Sequence, residues 1–124
     1  MDTILFVDDD RGIRELNART LKARGFTCDT AADGEEALAK LAQAPFDLVV
    51  LDVIMPRREG IQTLIDIKRR WPRTRVIAIS GGGRIGPDDF LGLARDFGAD
   101  ATLAKPLTPS MVAETIRRVL DLWH

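Results

Sequence analysis

Two residue types are all but missing from this chain. It has one cysteine, Cys28, one histidine, His124, and no tyrosine. A disulfide within the chain is therefore excluded, and a zinc site of Cys and His ligands has too few donors. A Ser-His-Asp or Cys-His pair would have to recruit the final residue of the sequence. Chemistry must come from carboxylates, hydroxyls, lysine, backbone groups or a hard metal ion. Net charge is also small, −1 at neutral pH, so no global field draws the chain to nucleic acid or a membrane. No apolar stretch approaches the ~20 residues that span a bilayer, and no basic-then-apolar leader is present. A lone thiol without such a leader fits a reducing, cytoplasmic setting.

What is present suits one domain over residues 1–124, with no separate effector domain: 124 residues, 45% hydrophobic and 30% charged. Short apolar runs alternate with helical patterns. The expected strands are β1 (3–7), β2 (27–31), β3 (47–52), β4 (75–80) and β5 (101–104). The expected helices are α1 (11–24), α2 (34–43), α3 (59–71), α4 (87–97) and α5 (109–123). In α1, Ile13, Leu16 and Leu21 recur at helical spacing, and Gly25 stops it. β1, β3 and β4 are apolar throughout, as strands are when helices cover both faces of a parallel sheet. Right-handed crossovers then give an α/β fold, a three-layer doubly wound sandwich around a five-stranded parallel sheet.

In open sheets of this kind, ligands bind beyond the carboxyl ends of the strands. "ILFVDDD" puts Asp8, Asp9 and Asp10 after β1. β3 ends in Asp52, β4 ends in Ser80, and Lys105 follows β5. Asp8, Asp9 and Asp52 converging on one edge would repel one another unless a cation joined them. Magnesium, which takes oxygen ligands and one or two carboxylates, is the expected ion. Carboxylate, metal, lysine and hydroxyl are together the parts that phosphoryl transfer requires. Asp10 stands where α1 begins, so capping is its expected role.

Four segments resemble a known family, the receiver domains of two-component response regulators, in particular the chemotaxis-type single-domain members. "FVDDD" is similar to the family's acidic pair, "VVLDVIMPRREG" to its phospho-acceptor strand and following loop, "VIAISG" to its switch strand, and "GADATLAKP" to its last strand and Lys-Pro. The resemblance implies the flavodoxin-like strand order 2-1-3-4-5. It implies Asp52 as phosphoryl acceptor, and Mg2+ held by Asp9, Asp52 and the Ile54 backbone carbonyl, with Asp8 orienting metal-bound water. Ser80 would bond the phosphoryl group, Lys105 would pair with Asp52 and then with the phosphate, and Lys105–Pro106 would be cis. The implied donor is a histidine kinase or phosphotransfer protein. The implied output is a downstream protein bound through α4, β5 and α5, without direct nucleic-acid or membrane contact, by a monomer or a weak phosphorylation-dependent dimer. The chain would be a phospho-acceptor with at most intrinsic self-phosphorylation and autodephosphorylation, not an enzyme.

Three positions depart from that pattern. Thr102 stands where the family carries a switch aromatic. The loop "SGGGRIGPDD" is longer than usual and glycine-rich, which predicts mobility. Ile54 replaces a commonly polar residue and should alter water access to the acceptor. Other readings stand beside this one. A haloacid-dehalogenase-like phosphohydrolase would use Asp8 as nucleophile and Asp10 as acid/base, but it leaves Asp52 without a role and lacks a later acidic pair. A pseudo-receiver would only bind partners. "GGGRIG" formally fits a nucleotide-binding glycine pattern, yet it follows β4, so it is read as loop. "KRRWPRTR" has five basic residues in eight and reads as a solvated helix end ahead of nucleic-acid contact. Trp71 and Trp123 are expected to cover core edges, and Cys28 to be a small buried hydrophobe.

Overall fold

A computed structural model of the chain describes residues 2–53, 59–80, 92 and 94–121. Within them, β1 (Thr3–Val7), β2 (Thr27–Ala31), β3 (Leu48–Asp52), β4 (Arg75–Ser80) and β5 (Ala101–Ala104) form one sheet in the order β2-β1-β3-β4-β5. All four pairings are parallel. The helices are α1 (Arg11–Ala23), α2 (Gly34–Gln43), α3 (Glu59–Arg70) and α5 (Pro109–Asp121). Of the expected α4, residues 92 and 94–97 are described: 92 and 94–96 are helical, and Phe97 already lies in a turn. The expectations for Ile54, the loop after Ser80 and Trp123 fall outside the described residues.

Side chains alternate across a strand, and here both sides are apolar. Ile4 and Phe6 of β1, Leu48 and Val50 of β3, and Ile77 and Ile79 of β4 face a core shared with α1 and α5. Leu5, Val7, Val49, Leu51, Val76 and Ala78 face a second core shared with α2 and α3. Burial on both faces explains why these strands read as unbroken apolar runs.

Local signals set the helix ends. The Asp10 side chain accepts from Ile13 N (3.1 Å), capping α1. Asp33 likewise caps α2, accepting from Glu36 N (2.8 Å). α1 ends one residue before the expected boundary because Gly25, at φ 94°, turns the chain in the left-handed region. Gly25 N donates to Lys22 O, and Phe26 N to Leu21 O, while Phe26 and Leu21 meet in the core. α3 stops at Arg70, one residue short of Trp71, and β3 starts at Leu48. Trp71 is half-buried against the α2–α3 core, as expected. Cys28 is buried, and burial pushes its thiol up to about 11.

The apolar face of α1 is rotated from the expected one. Leu16 is 50% exposed, and Asn17, at 6%, takes the inward position with Leu21. Asn17 Nδ2 donates to Ile13 O (2.9 Å), while Asn17 Oδ1 is buried without a hydrogen-bond partner among the described residues. An unsatisfied buried acceptor is a net cost. Asn17→Leu should therefore raise stability by about 1 kcal/mol, seen as a higher urea midpoint at unchanged slope. A lower midpoint would show that Oδ1 is in fact satisfied.

Gly60, in the first turn of α3, lies against the residue that follows Asp52. A Cβ there would stand 2.4 Å from Val53 Cα and 2.5 Å from its carbonyl oxygen. Backbone cannot yield as a side-chain tip can. Gly60→Ala is expected to cost about 1–3 kcal/mol, measurable by chemical denaturation. An unchanged midpoint would mean that α3 moves away freely.

Candidate functional site

Strand register assembles the site. Val7 pairs with Leu51, Asp52 with Ile79, and Ser80 with Ala104. Continuing β1 and β5 by one residue brings Asp8 and Lys105 to the edge where β3 ends in Asp52 and β4 in Ser80, on strands roughly 4.8 Å apart. Backbone bonds fix those ends. Asp8 N donates to Ala31 O (3.1 Å), Val53 N to Ile79 O (2.9 Å) and Lys105 N to Ser80 O (2.8 Å). The Lys105–Pro106 bond is cis, as expected.

The side chains meet there. Asp8, Asp52 and Ser80 are 2%, 3% and 0% exposed. Lys105 Nζ stands 3.2 Å from Asp52 Oδ2 and 3.7 Å from Asp8 Oδ2. Asp8 Oδ1 also accepts from Asp10 N (2.9 Å). Asp9 is exposed at the rim. Asp8, Asp9 and Asp52 each offer a carboxylate oxygen within 4.8 Å of the others. Asp10 stays apart, its carboxylate engaged at the helix cap. The structure thus brings together Asp8, Asp9, Asp52, Ser80 and Lys105, and separates Asp10 from them.

The electrostatics are unbalanced. Burial raises the pKa of Asp8, with Asp52 and Asp9 adding to the effect, while the Asp10 N–H and Lys105 oppose it. For Lys105, burial acts to lower the ammonium's pKa, but Asp52, Asp8 and Asp9 outweigh it and the net shift is upward. Three carboxylates face one ammonium, so negative charge is in excess. A hard divalent cation supplies the missing charge, and an all-oxygen set of this size fits magnesium. Asp8, Asp9 and Asp52 would hold it.

Two features were not legible beforehand. Arg14 Nη1 donates to the Asp8 carbonyl (2.8 Å), fixing the β1–α1 turn from the helix side. A groove of about 520 Å³ runs from Asp8 and Lys105 along Ile13, Leu16, Leu107 and Pro109. Leu16, an apolar residue off the core-facing stripe of α1, was the available signal for it.

Comparison with known proteins agrees with this geometry. The response regulator receiver domain family matches residues 4–117. The transcriptional regulatory protein CpxR of Klebsiella pneumoniae is 37% identical over 124 residues, covering 100% of this chain and 51% of that protein. The sensor kinase CckA of Brucella abortus is 34% identical, covering 96% of this chain and 12% of its own length. A CheY-like receiver domain protein from Methanospirillum hungatei superposes with a TM-score of 0.87 at 30% identity, covering 98% and 94% of the two chains. The chain belongs to the response regulator receiver domain family, and it spans about half the length of the CpxR relatives it matches. Its class of function is phosphorelay signal transduction. Receiver domains are phospho-acceptors rather than ordinary enzymes, bind Mg2+ at the acidic pocket and interact with histidine kinases or phosphotransfer proteins. No helix among the described residues is long and apolar enough to cross a membrane.

Because burial and like charge disfavour ionised Asp8, Asp8→Asn should stabilise the protein in chelator at neutral pH by about 1 kcal/mol. Magnesium should raise the melting temperature of the wild type by mass action and that of the variant far less. A lower melting temperature in chelator would mean that the Lys105 contact outweighs the repulsion.

Proposed function

We propose that Asp52 is the residue phosphorylated in this chain. The observation that carries the reading is the Asp52–Lys105 contact of 3.2 Å at a buried strand end flanked by Asp8 and Asp9. An Asp52 carboxylate oxygen attacks the phosphorus of a phosphohistidine on a kinase or phosphotransfer protein. The P–N bond breaks, the imidazole leaves with the electron pair, and an acyl phosphate forms. Lys105 passes from the Asp52 carboxylate to a phosphoryl oxygen, and the Ser80 hydroxyl donates to another. Magnesium, when bound, neutralises phosphoryl charge. Asp9 and Asp52 would hold it directly and Asp8 through a metal-bound water, and the Ile54 carbonyl, outside the described residues, would complete the protein ligands. Self-phosphorylation from small phosphodonors and autodephosphorylation use the same residues.

Phosphorylation adds roughly −1.5 to −2 charges where Ser80 and Lys105 can respond, biasing an existing equilibrium. The downstream partner then reads the side of the domain built by α4, β5 and α5. Thr102 is partly exposed on β5, so output passes without a switch aromatic at that position. The dehalogenase-like reading is disfavoured, because it needs Asp10 as acid/base and the Asp10 carboxylate caps α1.

Acetyl phosphate with magnesium should label the chain once, on Asp52. Asp52→Asn should abolish labelling, and Lys105→Ala should slow it by about 10²-fold or more. Labelling mapped to Asp8 would overturn the assignment in favour of the phosphohydrolase reading. Labelling retained in Asp52→Asn would remove its basis.

A further inference from the structure

We propose that the end of α3 and the turn after it form a docking site for an acidic peptide segment bearing one apolar side chain, independent of the chemistry at Asp52. Of the five basic residues in "KRRWPRTR", two are engaged. Lys68 Nζ stands 3.1 Å from Asp100 Oδ2 and donates to Thr74 O (3.0 Å), and Arg75 Nη1 lies 3.6 Å from Asp100 Oδ1. The other three, Arg69, Arg70 and Arg73, are exposed and have no ion-pair partner among the described residues. The nearest acid on their helix, Asp66, accepts from Gln62 Nε2 (3.1 Å).

Cations at the end of a helix are ordinarily explained by its carbonyl dipole, an effect that falls off beyond the last turn. That accounts for Arg69 and Arg70. It does not account for Arg73, which lies past the helix and past Pro72. Arg70 sits with Cζ 4.4 Å from the Trp71 ring centroid, and a guanidinium over a ring keeps its in-plane N–H donors available to an anion.

Trp71 belongs to a second feature. Between it and the C-terminal turn of α2 is a cavity of about 280 Å³, lined among others by Leu41, Ala44, Pro45, Phe46, Trp71 and Thr74. The Thr74 hydroxyl donates to Phe46 O (3.3 Å), so its proton is committed. An open recess of mixed polar and apolar surface, with Leu41, Phe46 and Trp71 in its lining, beside three guanidiniums that make no ion pair, matches carboxylates flanking an aliphatic side chain. Nucleic acid fits less well. It has no aliphatic group for the recess beyond the thymine methyl, and three cations reach too few phosphates for a chain of net charge −1.

The patch lies at the start of β4, whereas Ser80 and the acceptor edge lie at the far end of this 6-residue strand, about 17 Å away. Docking there leaves Asp52 open to its phosphodonor.

The test uses fluorescence anisotropy of a short labelled peptide of Asp and Glu around a single Leu, titrated with the 124-residue chain. Arg69→Glu combined with Arg73→Glu should weaken binding about tenfold or more, with unchanged circular dichroism and unchanged acetyl-phosphate labelling. Arg19→Glu, an exposed reversal on α1, should leave affinity within about twofold, as should phosphorylation of Asp52. Replacing the peptide's Leu by Gln should weaken binding as well. No measurable binding, an equal loss in Arg19→Glu, or indifference to the Leu would overturn the proposal. Tighter binding of random-sequence duplex DNA than of the peptide would reassign the patch to nucleic acid.

Discussion

The contact on which the site depends is that of the Lys105 ammonium with the carboxylates of Asp52 and Asp8. Two buried carboxylates with a third at their rim would not readily share the end of an apolar sheet without a cation, because Asp52 and Asp9 add to the cost of ionising Asp8. Lys105 offsets part of that cost and leaves part standing. The remainder is negative charge that a divalent ion would neutralise. An ammonium that neutralised the cluster completely would stabilise the domain and remove that attraction.

The position of Lys105 follows from the sheet. Its backbone N–H is held by the Ser80 carbonyl, so the last residue of β4 and the first after β5 are locked in register. On the other side, Asp8 is held at every polar atom the site uses: its N–H by Ala31, its carbonyl by Arg14, one carboxylate oxygen by the Asp10 N–H and the other near Lys105. The charges are set on rigid strand ends, which is how electrostatic preorganisation is usually achieved.

Much of this was legible in the residues. Unbroken apolar runs at β1, β3 and β4 required helices on both faces, and that required a parallel sheet whose carboxyl ends carry the polar residues. Asp10 could be separated from Asp8 and Asp9 because it stood at a helix start. What escaped was tertiary. Leu16 and Asn17 exchange their expected places because the α1–α5 seam sets the rotation of α1, and polarity alone pointed to Leu16 as the core residue. Arg14 looked like any surface arginine, since its partner is a backbone oxygen with no side-chain signature. Asp100, which gathers Lys68, Arg75 and the Val76 N–H, looked like an ordinary loop residue before β5. Its partners come from 24 to 32 positions away.

Every strand of the sheet points the same way, so the domain has a head and a foot. All acidic strand ends lie at the head. At the foot lie the strand starts, Asp100 with its two cations, and the arginines at the end of α3 and in the turn after it. An antiparallel sheet would mix the two sets at both ends. A polarised one keeps them apart, so chemistry at the acidic end would leave the basic end undisturbed. That is the geometry of a hinged door, with latch and hinge on opposite edges and the sheet as the panel between them.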